Sequence, residues 1–285
     1  MAKEYFSQNQ LSQFKYVQKL AYDSAMYVQD HLTEGMTEID SANLLDLTLQ
    51  KNGVRNFFHT SFAWFGDRTT FKNFHTYFDF LPTKRKLEKG MAVILDTAPA
   101  IDGIPCDIGY AFSFGNNSLF DQTRTDLEVF RTLVLDEIMA EKTLSEIYNK
   151  VETLISDMGY TNCHKKYPLG VLGHKVSKLP FLQIPPIKIM GFHSQTYAYL
   201  FAETVNALIP SFGGLKSQVP YWNETTNHLV EPGVWAIEPH IGKNDYGAKW
   251  EELLVVTDNN AYWLDEDLPH VNFWKEKNFG KIKIH

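Results

Sequence analysis

The chain is poor in cysteine, has no basic excess and contains no long apolar run. Only Cys106 and Cys163 occur in 285 residues. That excludes a disulfide framework and makes a reducing cytoplasm the expected setting. The net charge is −7, which argues against a surface that tracks nucleic-acid phosphates. The local cluster Lys84-Arg85-Lys86 reads as a solvated turn. No stretch approaches the roughly 18 apolar residues that a membrane helix needs. The polar start Met1-Ala2-Lys3-Glu4-Tyr5 lacks the apolar core of a signal peptide. The expectation is a soluble cytoplasmic protein with neither a nucleic-acid nor a membrane partner.

What is present is ordinary globular composition, 44% hydrophobic and 21% charged, long enough to bury a large core without staples. Leu11, Phe14, Val17, Leu20, Ala21, Ala25 and Val28 recur at three- and four-residue spacing and predict a helix over 9–32. Gly35 stops it. Thr37-Glu38-Ile39-Asp40 starts a second helix that ends at Asn52-Gly53. The aromatics of 56–80, crowded around Gly66-Asp67, predict a β-hairpin. Two further strands are expected at 91–96 and 107–114, then helices at 121–140 and 145–158.

The second half repeats the first. Thr143-Leu144-Ser145-Glu146-Ile147 echoes the Thr37 helix start, and Pro232-Gly233 to Glu238 echoes Lys89-Gly90 to Asp96. The spacing between equivalent positions grows from 108 residues (Glu38 to Glu146) to 142 (Asp96 to Glu238). This places roughly thirty extra residues in the second half, near 178–230, where prolines favour loops. No linker divides the chain, so one domain over 1–285 is expected.

Each glycine turn leads into an apolar strand ending in a carboxylate, Asp96 or Glu238. The next strand carries another, Asp107 eleven residues after Asp96 and Glu251 thirteen after Glu238. Asp96 alone is an ordinary strand-end aspartate, and Asp107 alone is equally plain. Four carboxylates at repeat-related positions make an oxygen-rich cage, and buried carboxylates call for a cation.

These residues resemble the pita-bread metallopeptidases, the family of methionine aminopeptidases, aminopeptidase P, prolidase and creatinase. The resemblance rests on Gly35-Met36-Thr37-Glu38-Ile39, Ile94-Leu95-Asp96, Asp107-Ile108, Gly173-His174, Ile237-Glu238-Pro239 and the run Glu251 to Asp258. It implies an α+β pita-bread fold, a pseudo-two-fold curved antiparallel sheet covered by helices. It also implies two metal ions held by Asp96, Asp107, His174, Glu238 and Glu251. Four carboxylates and one imidazole are a hard donor set, suited to Mn, Fe or Co, with Zn also admissible. The implied activity is hydrolysis of the N-terminal peptide bond of a peptide substrate by metal-activated water, with Glu238 shuttling the proton. A homodimer is compatible with the resemblance.

By resemblance, His75 in Asn73-Phe74-His75 and His193 in Gly191-Phe192-His193 would face the substrate and stabilise developing charge. The family's second histidine lies seven residues after the metal histidine, where Phe181 stands here, so an insertion over Leu179 to Met190 is expected. Lys175-Val176-Ser177-Lys178 departs from the family's glycine-rich sequence, and Gly109-Tyr110-Ala111 lacks its arginine. His59 and His240 are read as core or surface histidines near the pocket, and Cys106 as a small buried hydrophobe. Lys249-Trp250-Glu251 resembles the Arg-x-Glu of the proline-directed branch. An Xaa-Pro peptidase is therefore expected, with a methionine aminopeptidase second. A non-catalytic binding module on the same fold is the reading from another class.

Overall fold

The computed structural model describes residues 6–178, 187–189, 191–194, 196–198 and 219–282. Helix α1 (Gln8–His31) opens with a reciprocal cap: Ser7 accepts from the Gln10 backbone, and the Gln10 side chain accepts from Ser7. Its stripe of Phe14, Val17, Ala21, Ala25 and Val28 is buried. Helix α2 (Glu38–Lys51) starts the same way with Thr37 and Asp40. It ends at Asn52 before Gly53, whose φ of +92° is left-handed backbone that favours glycine.

Strand β1 (Asn56–Phe65) is not half of a hairpin. Two short 3-10 turns, Gly66–Thr70 and Tyr77–Phe80, follow it, and its partners lie elsewhere. The buried Glu38 carboxylate causes this. It accepts from Phe65 N–H, Arg68 Nε and the backbone and hydroxyl of Thr83, folding the chain back at once. Phe71 stacks on Phe74, and Phe80 meets both edge-on, with centroids 4.7–5.1 Å apart. The aromatic enrichment marks a small local core rather than cross-strand pairs.

The chain continues through β2 (Ala92–Ile101), β3 (Ile104–Pro105) and β4 (Ile108–Ser113). The helix expected over 121–140 is two, α3 (Ser118–Asp126) and α4 (Glu128–Met139). At the break, the indole N–H groups of Trp274 and Trp250 donate to the carbonyls of Arg124 and Leu127, taking acceptors out of the helical ladder. Helix α5 (Leu144–Asp157) is capped by Thr143 with Glu146.

The second half supplies β5 (Thr161–Asn162), β6 (Gly173–Val176), β7 (Lys188–Ile189), β8 (Phe192–His193), β9 (Tyr221–Trp222), β10 (Gly233–Ile237), β11 (His240–Lys243), β12 (Tyr246–Val256) and β13 (Ala261–Trp263). The helix Pro269–Ile282 follows. The extra residues expected near 178–230, Phe181 among them, fall largely outside the described residues. Among those described, the strands run β7-β8-β1-β2-β4-β12-β10-β6-β9, antiparallel at every join. This is the curled half-barrel sheet of a mixed α+β, pita-bread-like fold. The repeated pairs β2/β4 and β10/β12 sit at its centre, joined where Gly109 opposes Glu251 and Tyr110 opposes Trp250. No described helix is long and apolar enough to cross a membrane.

Candidate metal centre

The central strands deliver the four carboxylates to one place. Asp96 lies on β2, Asp107 immediately precedes β4, Glu238 follows β10, and Glu251 lies on β12; all four are buried. Side chains alternate along β12, so Lys249 and Glu251 share one face while Trp250 and Glu252 share the other. On β6, His174 pairs with Ala236 of β10 and so stands beside the strand that ends in Glu238.

Lys249 Nζ lies 2.7 Å from Asp96 Oδ2 and 2.9 Å from both Glu238 Oε2 and Glu251 Oε2. Asp107 sits on the other side of the cluster. His59 Nε2 is 3.2 and 3.3 Å from its two oxygens, and His174 Nε2 is 3.4 Å from Oδ2. His59 Nε2 also lies 3.6 Å from Asp96 Oδ1, and His174 Nε2 3.9 Å from Glu251 Oε1. The backbone is pinned from behind, where Tyr22 donates its hydroxyl to the Glu251 carbonyl at 2.6 Å.

Burial and the pairing of the carboxylates with Lys249, His59 and His174 dominate the electrostatics. Burial pushes the Glu238 and Glu251 carboxyls up, against the pull of Lys249, and Asp107 adds to the rise at Glu251. Burial would raise Asp107 as well, but His59 and His174 hold it well below the usual carboxylate range. Burial would lower His59, yet Asp107 and Asp96 push it up to about 9. Burial opposes the charge of Lys249, but Asp96, Glu238 and Glu251 together raise it well above the ordinary lysine value.

Next to the lysine, the Tyr167 ring centroid lies 4.9 Å from Nζ. The Tyr167 hydroxyl and His240 Nδ1 are 3.2 Å apart, and His240 Nε2 is 2.7 Å from the Thr69 carbonyl. Burial and Lys249 hold the His240 ring neutral. Its proton therefore sits on Nε2 and is donated to Thr69, leaving Nδ1 to accept from Tyr167.

Among the described residues, two sets of three side chains can each place one ligand atom within 4.8 Å of the others: His59, Asp96 and Asp107, and Asp107, His174 and Glu251. Oxygen and imidazole donors of this kind fit a divalent transition metal. Two cavities border the cluster. One, of about 200 Å³, is lined by Phe58, Pro105, Leu169, Val171, His174 and Tyr221. The other, of about 180 Å³, opens onto Asp96, Asp107, Glu238 and Glu251 under Trp64, Tyr77 and Phe192. Cys106 borders the first cavity, but burial pushes its thiol well up, which suits a small apolar filler better than a ligand.

The structure thus brings Asp96, Asp107, His174, Glu238 and Glu251 together. It does not bring His75 there. That residue is exposed, and its backbone N–H donates to Asp79 within the turn Tyr77–Phe80. His193 is buried edge-on against Phe57, while its neighbour Phe192 pairs with His59 and lines the cavity. Two residues at the centre were not placed there by sequence reasoning. Lys249 was legible, because a residue two before a strand carboxylate shares its face. His59 was not, because irregular pairing of β1 with β2 on both sides of it re-aims the side chain.

The model of metallopeptidase family M24 matches residues 12–258. An X-Pro aminopeptidase from Thermotoga maritima MSB8 superposes with a TM-score of 0.66 at 16% identity, covering 95% of this chain and 63% of its own. A prolidase from Pyrococcus furiosus gives 0.61 at 16% identity over 90% and 64% of the two chains. A methionine aminopeptidase from Rickettsia prowazekii gives 0.56 at 12% identity over 93% and 99%. This chain therefore spans less than two thirds of the length of the X-Pro aminopeptidase and prolidase structures it matches, and at such identities the likeness shows the fold alone. No match arises among curated protein sequences. With the family model covering most of the sequence and its fold and carboxylate cluster in place, the chain belongs to metallopeptidase family M24.

Proposed function

We propose that the protein is a metal-dependent exopeptidase that hydrolyses the N-terminal bond of peptides, preferring proline in the second position. The supporting observation is the convergence of four buried carboxylates, His174 and His59 on one point beside apolar cavities. A core gains nothing from such like charges unless a cation or a reaction uses them. Asp96, Asp107, His174, Glu238 and Glu251 are the ligands in this reading; the family's usual number of ions is two, here Mn, Co or Fe, with Zn admissible. Metal bound there would polarise the scissile carbonyl and lower the pKa of a water.

The protein's own groups do the rest. Glu238, raised by burial, takes a proton and returns it to the leaving amine. Asp107, held ionised by His59 and His174, keeps its oxygens available as donors. The aromatic wall of Phe62, Trp64, Tyr77, Phe80 and Phe192 excludes water and offers flat apolar faces to a pyrrolidine ring. The Lys249-x-Glu251 spacing and the X-Pro aminopeptidase and prolidases among the similar folds support the proline-directed branch. His75 and His193 have no position on this cavity and receive no role in the reaction.

The test is a panel of X-Pro and Met-X peptides with Mn or Co added. Turnover of X-Pro substrates is the expected result. Turnover of Met-X alone would move the protein to the methionine aminopeptidase branch. Metal uptake without any turnover would favour a binding module, the reading that a lysine seated among the ligands keeps in view.

A further inference from the structure

Lys249 is fully buried, and its ammonium group meets one oxygen each of Asp96, Glu238 and Glu251 at 2.7, 2.9 and 2.9 Å. An ammonium has three N–H donors, and all three are used. The carboxylates it gathers come from three separate strands or strand ends, β2, β10 and β12. Asp107 is the member of the cluster outside this tripod; it faces His59 and His174 instead. Asp96 and Glu251 join the two sides, with Asp96 Oδ1 3.6 Å from His59 Nε2 and Glu251 Oε1 3.9 Å from His174 Nε2.

Three features show that the lysine is fitted to this place. It shares the inner face of β12 with Glu251, so strand alternation carries it inward. Gly109, opposite Glu251 on β4, has no side chain where the lysine passes; a Cβ there would collide with Lys249 Cε and lie 2.8 Å from Cδ. The Tyr167 ring flanks the ammonium at 4.9 Å and is held through its hydroxyl and His240.

We propose that Lys249 is a built-in cation that holds one of the two cation positions of this cage, leaving a single divalent ion to bind at Asp107 with His174 and Glu251, whose Oε1 the lysine leaves free. The proposal rests on the metallopeptidase reading of the cage and narrows it. An ammonium neutralises carboxylates and fixes their geometry, but it offers no open coordination position. It also shares the oxygens of Asp96, Glu238 and Glu251 that a second ion would need. Gly109 and Lys249 act as a pair in this arrangement, the one making room for the other.

The experiment is metal counting on folded protein. The wild type, Lys249→Met and Gly109→Ala are stripped, loaded with Mn2+, freed of excess ion and measured by native mass spectrometry and elemental analysis. One equivalent is expected in the wild type and two in each variant, since Gly109→Ala pushes the lysine chain aside without removing it. Two equivalents in the wild type would overturn the proposal while leaving the metallopeptidase reading intact. One equivalent in all three forms would overturn it as well, because the lysine would then exclude nothing. No metal in folded wild type would remove both readings together. If Lys249→Met does not fold, the wild-type count and Gly109→Ala still decide.

Discussion

Glu251 and Glu252 are neighbours on β12, both fully buried and both beside a basic side chain, yet they belong to different kinds of site. Glu252 points to the back of the sheet. Arg131 grips it with two nitrogens at 2.7 and 3.1 Å, and His270 Nε2 lies 3.0 Å away. Arg131 also holds Glu266 and the Asp265 carbonyl. In that network both oxygens of Glu252 are held by a single guanidinium and one imidazole. Glu251 points to the front, where four carboxylates face one lysine and two imidazoles. Burial does not separate a structural acid from a functional one, because both glutamates are buried. What differs is the crowding of acids: Glu251 stands within a cluster of four buried carboxylates, whereas Glu252 is the one buried carboxylate that Arg131 grips.

The comparison breaks most visibly at Arg131. Arg131→Met leaves Glu252 buried without its guanidinium, with only the His270 ring beside it, and should cost about 3–5 kcal/mol, read from urea unfolding. Glu251→Gln should behave oppositely. Lys249 keeps two of its three carboxylates while repulsion falls, so stability of the metal-free protein should change by less than about 1 kcal/mol. Metal affinity should drop by at least about 100-fold in the same variant, measured by calorimetric titration.

Acid probes a buried histidine that is not one of the two glutamates' partners. Burial lowers His164, whose Nδ1 faces the His240 backbone N–H, from 6.5 to about 3. The unfolded chain therefore binds this proton below pH 6.5 while the fold refuses it, and stability falls as pH falls through that window. Between pH 6.5 and 5, the wild type should lose on the order of 1 kcal/mol more than His164→Gln. The smallest effect belongs to Glu266→Gln, which removes the largely exposed partner of the same Arg131. It should cost no more than about 0.5 kcal/mol, and a cost equal to that of Arg131→Met would contradict the contrast between buried and exposed pairs.

The helices were largely legible because their ends are written in capping residues: Thr37 with Asp40, Thr143 with Glu146, and Gly53 after α2. The central hairpins were legible because glycine turns lead into apolar runs that end in acids. The region after β1 was not, since Glu38 acts on Phe65, Arg68 and Thr83 from far along the chain, and no local pattern reports that. The break at Leu127 was hidden for the same reason, because the tryptophans that take its carbonyls come from β12 and the C-terminal helix. At the site, the four clustered carboxylates could be read from their repeat, and His174 from the family resemblance. His59 could not, because irregular pairing decides where it points. Lys249 stood in plain view as the residue two before Glu251, but its three partners are visible only once three strand ends meet.

The most direct test of the two-faced strand is a Mn2+ titration of metal-stripped wild type, Glu251→Gln and Glu252→Gln, followed by calorimetry with folding checked by circular dichroism. The account predicts binding in the wild type, equal binding in whatever Glu252→Gln remains folded, and none that is measurable in Glu251→Gln. Equal binding by both variants, or loss in Glu252→Gln with retention in Glu251→Gln, would contradict it.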